Sequence, residues 1–253
     1  MKAKLNWLIP VLVITLLAFS VIVSASMLIP SNDKAKENSK APENSPVIDE
    51  NWELERVDFI HYAKPENPGK PEKPGKTETC YKLLGVKWKS LPVSYVINPI
   101  DSGLDEGFVT SAISTSAETW DDVTSSELFN DSYIVDYAAE YGVQNFVNAI
   151  DFGDYPNDRV IAVTSVWYTP KGKQIVEFDI RFNTRFSWGD ANPEKMDLQN
   201  IATHELGHGV GLDDIYSTTC SAVTMYGYSS YGETQKRTLE QPDITGLQKM
   251  YGI

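Results

Sequence analysis

The run His204-Glu205-Leu206-Gly207-His208-Gly209-Val210-Gly211-Leu212-Asp213-Asp214 places two histidines four residues apart, with a glutamate beside the first. On a helix, residues four apart share a face, so the two imidazoles can grip one metal ion. Glu205 is then placed to take a proton from a water at that metal. Gly211 can break the helix and swing a third ligand into place. Met225 follows shortly after. Two ligands, a base, a turn and a third ligand are what metal-assisted hydrolysis requires. The plainer reading, a helix face with two satisfied polar histidines, leaves Gly211, Asp214 and Met225 as accidents. The chain has three histidines, and two of them are here.

These residues need a helix and a sheet to hold them. The helix is predicted to start at Asp197, a suitable N-cap. Leu198, Ala202, Leu206 and Val210 form its apolar stripe. His204 lies about 200° around the helix from Ala202, so the histidines point away from the core and toward a cleft. Val93, Tyr95, Val96 and Ile97 predict a strand within Pro92–Asn98. Val109, Ile113, Ala117 and Trp120 follow at helical spacing and predict a helix from near Asp105 to Val123. Strands are predicted at Val143–Ile150, Val160–Trp167 and Glu177–Asn183. In the last, Phe178, Ile180 and Phe182 alternate with Glu177, Asp179 and Arg181, the pattern of a half-exposed strand. Pro242-Asp243 opens a short helix through Met250.

The 253 residues suffice for one substantial domain with appendages. A net charge of −13 repels phosphate backbones, so nucleic acid is not an expected partner. Lys2 and Lys4 precede an uncharged apolar run from Leu5 to Pro30, the layout of an export signal. The run is also near the length that spans a bilayer. Residues 1–30 are therefore read as a signal peptide, with small residues at Ser24-Ala25-Ser26 for cleavage, or as an N-terminal membrane anchor. Both readings put the remainder in an extracytoplasmic space, secreted or tethered to the membrane. Residues 31–79 are rich in proline, lysine and glutamate and read as a stalk. Within it, residues 52–62 differ: Val57, Phe59 and Ile60 give them the character of an added strand. The folded domain is read as residues 80–253. Cys80 and Cys220 suit one disulfide in an oxidising compartment. The alternatives are a propeptide thiolate at Cys80 or two free, buried thiols.

The motif with its later methionine resembles the metzincin zinc peptidases, whose pattern is H-E-x-x-H-x-x-G-x-x-H/D followed by a Met-turn. Asp197–Thr203 leading into His204 is similar to the matrixin active-site helix, and Asp243–Gly252 to that family's closing helix. The likeness covers roughly Val86 to Ile253. It implies an α+β, metzincin-like catalytic domain: a twisted mixed β-sheet, an active-site helix above the cleft, and a small C-terminal subdomain ending in a helix. It makes His204 and His208 zinc ligands, Glu205 the catalytic base, Gly211 the turn and Met225 the Met-turn residue. The third ligand falls on Asp214, as in snapalysin-like enzymes, where matrixins usually have histidine. Asp213 is its neighbour and a rival. His61 lies in the stalk and is a poor ligand candidate. Tyr228 stands at the offset where some metzincins have a tyrosine that reaches the zinc or the reacting oxyanion; a wall of the specificity pocket is the other reading. Asp151, Asp154 and Asp158 lie where relatives bind structural ions and could hold Ca2+; an ordinary acidic turn is the simpler account.

The expected function is an extracytoplasmic Zn2+-dependent endopeptidase acting on protein or peptide substrates, which would lie extended along an exposed strand edge. The rival is a catalytically silent zinc-binding or adhesion module at the cell surface. Zinc binding alone does not require Glu205, which favours the enzyme.

Overall fold

The computed structural model describes residues 53–65 and 79–253. The apolar segment from Leu5 to Pro30 and most of the proline-rich region lie outside the described residues. Among the described ones, no helix is long and apolar enough to cross a membrane.

Chain order is β1 (Glu55–Ala63), β2 (Lys82–Leu83), β3 (Val96–Ile97), α1 (Glu106–Asp121), β4 (Ile134–Val135), β5 (Ala149–Gly153), β6 (Val160–Thr169) and β7 (Gln174–Asn183). There follow β8 (Trp188–Gly189), β9 (Met196–Asp197), α2 (Leu198–Gly209), β10 (Leu212–Asp213), β11 (Tyr228–Ser229) and α3 (Gln241–Tyr251). Seven strands form one mixed sheet in the order β11-β1-β6-β7-β5-β3-β4. β6 runs antiparallel to both β1 and β7, whereas β5, β3 and β4 continue in parallel. This is the α+β architecture expected from the sequence, a mixed sheet with helices packed against it.

α1 begins where Asp105 accepts a hydrogen bond from the Phe108 amide at 3.1 Å. Its buried Val109, Ile113, Ala117 and Trp120 repeat at helical spacing and form the inward stripe. Three bonds dock it on α2: Ser116 Oγ donates to the Gln199 carbonyl at 3.1 Å and Trp120 Nε1 to the Thr203 carbonyl at 2.8 Å, and Thr203 Oγ1 donates to Ser116 Oγ at 3.1 Å. α2 begins at Asp197, which accepts from the Asn200 amide at 2.9 Å and is itself clamped by Arg237. Gly211 then turns the chain with φ +99°, and a Cβ there would fall 2.5 Å from the Val86 carbonyl oxygen. Only glycine satisfies both demands. The Cys80–Cys220 disulfide forms, with its Cα atoms 5.3 Å apart.

Two expectations fail at β7 for one reason. Glu177 and Asp179 are fully buried, so β7 is not half-exposed. The residues before Ala149, expected to be strand, instead wrap over that face as a loop. Glu177 accepts from the amides of Asn145 and Phe146, and Asp179 from those of Gly142 and Ala149. The carboxylates thus take backbone donors that a strand would have spent on a ladder. Burial pushes the Asp179 carboxyl up to about 7, against the pull of those two amides.

Candidate metal centre and catalytic cleft

His204 and His208, one turn apart on α2, bring their Nε2 atoms within 3.1 Å of each other. Each Nδ1 faces a backbone carbonyl, Thr224 at 2.7 Å for His204 and Leu212 at 2.9 Å for His208. A carbonyl only accepts, so both Nδ1 atoms carry protons and both Nε2 atoms turn to the shared point. Burial pushes the His204 imidazole down to about 4, which keeps it neutral. Asp214 Oδ1 completes the group, 3.3 Å from His204 Nε2 and 3.6 Å from His208 Nε2. This buried oxygen has no hydrogen-bond partner. Its other oxygen accepts from Tyr216 OH at 2.9 Å. Burial opposes ionisation of Asp214, yet the two histidines hold its carboxyl well below the usual range. Burial opposes protonation of His208, yet Asp214 beside it raises its pKa above the ordinary value, so the group draws positive charge to the point that the two Nε2 atoms and the carboxylate oxygen share. Two nitrogens and one oxygen are a donor set suited to zinc.

The turn that holds this group is anchored from below. Met225 is fully buried, and a Cβ on Gly207 would collide with Met225 Sδ and the Trp120 ring. Gly207 therefore lets both side chains close up under the helix between the two histidines. Asp243, in the first turn of α3, accepts from the amides of Thr224 and Met225 at 2.8 and 3.2 Å.

Above the helix the expected open cleft is filled. Phe59 and His61 of β1 point inward, with Phe59 opposite Thr164 and His61 opposite Ala162 of β6. The Phe59 ring stacks on His208, centroids 4.0 Å apart and planes within 6°. The His61 ring lies 4.0 Å from that of His204. His61 Nδ1 is 2.9 Å from Glu205 Oε1, and Thr164 Oγ1 donates to Glu205 Oε2 at 2.6 Å. On its far side, His61 Nε2 is 3.0 Å from Ser229 Oγ, which also accepts from Lys236 Nζ at 2.7 Å. Lys236 is paired in turn with Glu233. Burial, aided by Lys236, pushes His61 down to about 3, so it is a neutral ring donating Nδ1–H to the glutamate. Burial raises the Glu205 carboxyl above its ordinary range, against the pull of His204 and His208. His204, Glu205 and His208 are wholly buried as a result.

The matrixin model Peptidase_M10 matches residues 87–252. The chain belongs to the matrixin family. Matrixins use zinc, and calcium is commonly bound as well. The chain is 28% identical over 182 residues to matrix metalloproteinase-16 of Homo sapiens, covering 68% of this chain and 28% of that protein. It is 26% identical over 170 residues to the hatching enzyme of Paracentrotus lividus, covering 66% and 27%. A shorter match of 74 residues to Homo sapiens matrilysin reaches 38% identity, covering 29% and 27%. The chain thus spans little more than a quarter of the length of these curated relatives.

In this matrixin the structure separates the rival residues. Asp214 joins the histidines; Asp213 turns outward and pairs with Lys82 at 2.6 Å. The Tyr228 ring packs 5.3 Å from that of Tyr216 and 5.7 Å from that of Tyr226, and the hydroxyl that bonds Asp214 is that of Tyr216. Each acid of the Asp151–Asp158 turn meets a guanidinium. Arg181 grips Asp151 with two bonds of 2.9 and 2.6 Å, and Arg185 bonds Asp154 and Asp158. His61, a poor candidate by position, lies at the centre of the cleft. Its signal was present: Val57, Phe59 and His61 fall on one face at strand spacing, and histidine is rare in this chain. Thr164 and Tyr216 had no comparable signal, since a hydroxyl partner to a carboxylate is set by tertiary contact.

Proposed function

We propose that this chain is a zinc endopeptidase, with His204, His208 and Asp214 as the protein ligands and Glu205 as the base. The observation that carries the reading is the convergence of two buried imidazole Nε2 atoms on a buried carboxylate oxygen that has no hydrogen-bond partner. Zinc, when bound, would supply Lewis acidity toward the scissile carbonyl and the attacking water. The chain's own residues do the rest. Glu205 would receive the proton as water attacks and deliver it to the departing amine. Thr164 fixes one oxygen of Glu205, leaving the other, bonded to His61 here, as the one that would face the reaction. Tyr216 holds the second oxygen of Asp214 and thereby aims the first at the histidines. The substrate is an extended protein segment paired along β6, the strand that carries Thr164. The Cys80–Cys220 bridge supports an extracytoplasmic setting, where disulfides persist.

The test pairs zinc content with hydrolysis of a denatured protein, followed on the intact chain and on the chain cut between Lys64 and Cys80, because β1 fills the cleft. Glu205→Ala should keep its zinc and lose all cleavage. Retention of zinc with no hydrolysis in either form of the wild type would instead favour the silent binding module.

A further inference from the structure

β1 is the neighbour of β6 on the side away from β7. Without it, β6 has a free edge, and free edges take extended peptides by backbone pairing. Any peptide laid along β6 beside Glu205 must therefore enter the space that Phe59 and His61 hold. β1 fills it as a substrate would, extended and antiparallel to β6 from Glu55 opposite Tyr168 to Tyr62 opposite Val160. On its other side, among the described residues, β1 pairs only through Tyr62 and Ala63, with Tyr228 and Ser229.

We propose that β1 is an internal pseudo-substrate, which occupies the substrate groove of this peptidase and caps Glu205 through His61, so that the intact chain is latent. The proposal rests on the peptidase reading above. The block falls on the base and not on the metal. Both nitrogens of His61 are engaged, Nδ1 with Glu205 and Nε2 with Ser229, so His61 has no lone pair left for the ion. Phe59 adds a second cover by lying flat on His208. Release of β1 would expose Glu205, His208 and the edge of β6 together, which is the complete set that a substrate needs.

The test uses the zinc-loaded full chain with a recognition sequence for a site-specific protease in place of residues 68–75. A short tether holds a segment at an effective concentration on the order of millimolar, so cutting it and diluting to micromolar can relieve inhibition by up to about a thousandfold. The expected result is slow hydrolysis of a denatured protein before the cut and faster hydrolysis once the fragment is removed by gel filtration. Zinc content should stay unchanged. A synthetic peptide of residues 53–65 should restore inhibition, and the same peptide carrying His61→Ala should inhibit less. Equal rates before and after removal, with no effect of the peptide, overturn the proposal and leave the peptidase reading standing. If neither form hydrolyses protein, the peptidase reading fails and a fluorescent 53–65 peptide decides the strand. Its displacement by denatured protein upholds a shared groove; its failure to be displaced rejects one.

Discussion

The floor and the roof of the cleft are built by opposite strategies. The floor is local: His204, His208 and Asp214 come from one run of chain, each histidine is aimed by a carbonyl, and Gly211 turns the third residue back on the first two. The roof is distant: Phe59 and His61 lie well over a hundred residues earlier and are aimed by pairing with β6. A local cluster can be assembled by a helix and one turn. A distant one depends on a sheet whose parts must all be in place, and it is the part that would leave under the latency proposed above. The difference teaches that a site can be rigid where it must bind an ion and separable where it must admit a substrate.

Substitutions can break that contrast, and the largest effects belong to the floor. His208→Ala or Asp214→Ala should abolish stoichiometric zinc, read by elemental analysis, and all hydrolysis with it. Retained zinc in Asp214→Ala would show that the third ligand lies elsewhere. Phe59→Ala strikes the roof. Truncating a buried phenylalanine costs ~3–5 kcal/mol, and the loss should loosen β1 rather than unfold the domain. Hydrolysis by the intact chain should rise while zinc content holds; a fall in both would place Phe59 in the common core. Gly207→Ala tests the support beneath the floor. The added methyl meets Met225 and Trp120, and overpacking of this kind costs ~1–3 kcal/mol, which a thermal melt would register. Tyr216→Phe is the mildest. It removes one bond to Asp214, and loss of such an outer partner lowers metal affinity by about 10–100-fold. A competitive chelator titration measures it.

The floor was also the legible half. His204, Glu205, His208, Gly211 and Met225 carry their spacing in the chain, and the stripe from Leu198 to Val210 shows which face of the helix is left for chemistry. The α1 stripe was readable for the same reason, a period sustained over many residues, and β6 as a short apolar run buried on both faces. What escaped depends on tertiary neighbours. Glu177 and Asp179 alternate with aromatics like solvent-facing acids, and only the loop folded over them makes them buried acceptors. Tyr216 and Tyr228 both follow the motif, and their order along the chain does not say whose hydroxyl meets Asp214. His61 looked remote because a polar, proline-rich context outweighed a short run of alternating side chains. Nothing in that run names β6 as its partner, since register and pairing are decided across the sheet.

The bridge from Cys80 to Cys220 links positions 140 residues apart and ends just before Met225. Crosslinks that close long loops restrain the unfolded chain by several kcal/mol, roughly 5 on a simple entropic account. Cys80 is therefore a fixed post: a scission between Lys64 and Cys80 would leave the roof held by non-covalent contacts alone, while the body keeps its covalent cinch. A reducing solvent should reverse that advantage, leaving a shortened enzyme far more fragile than its parent.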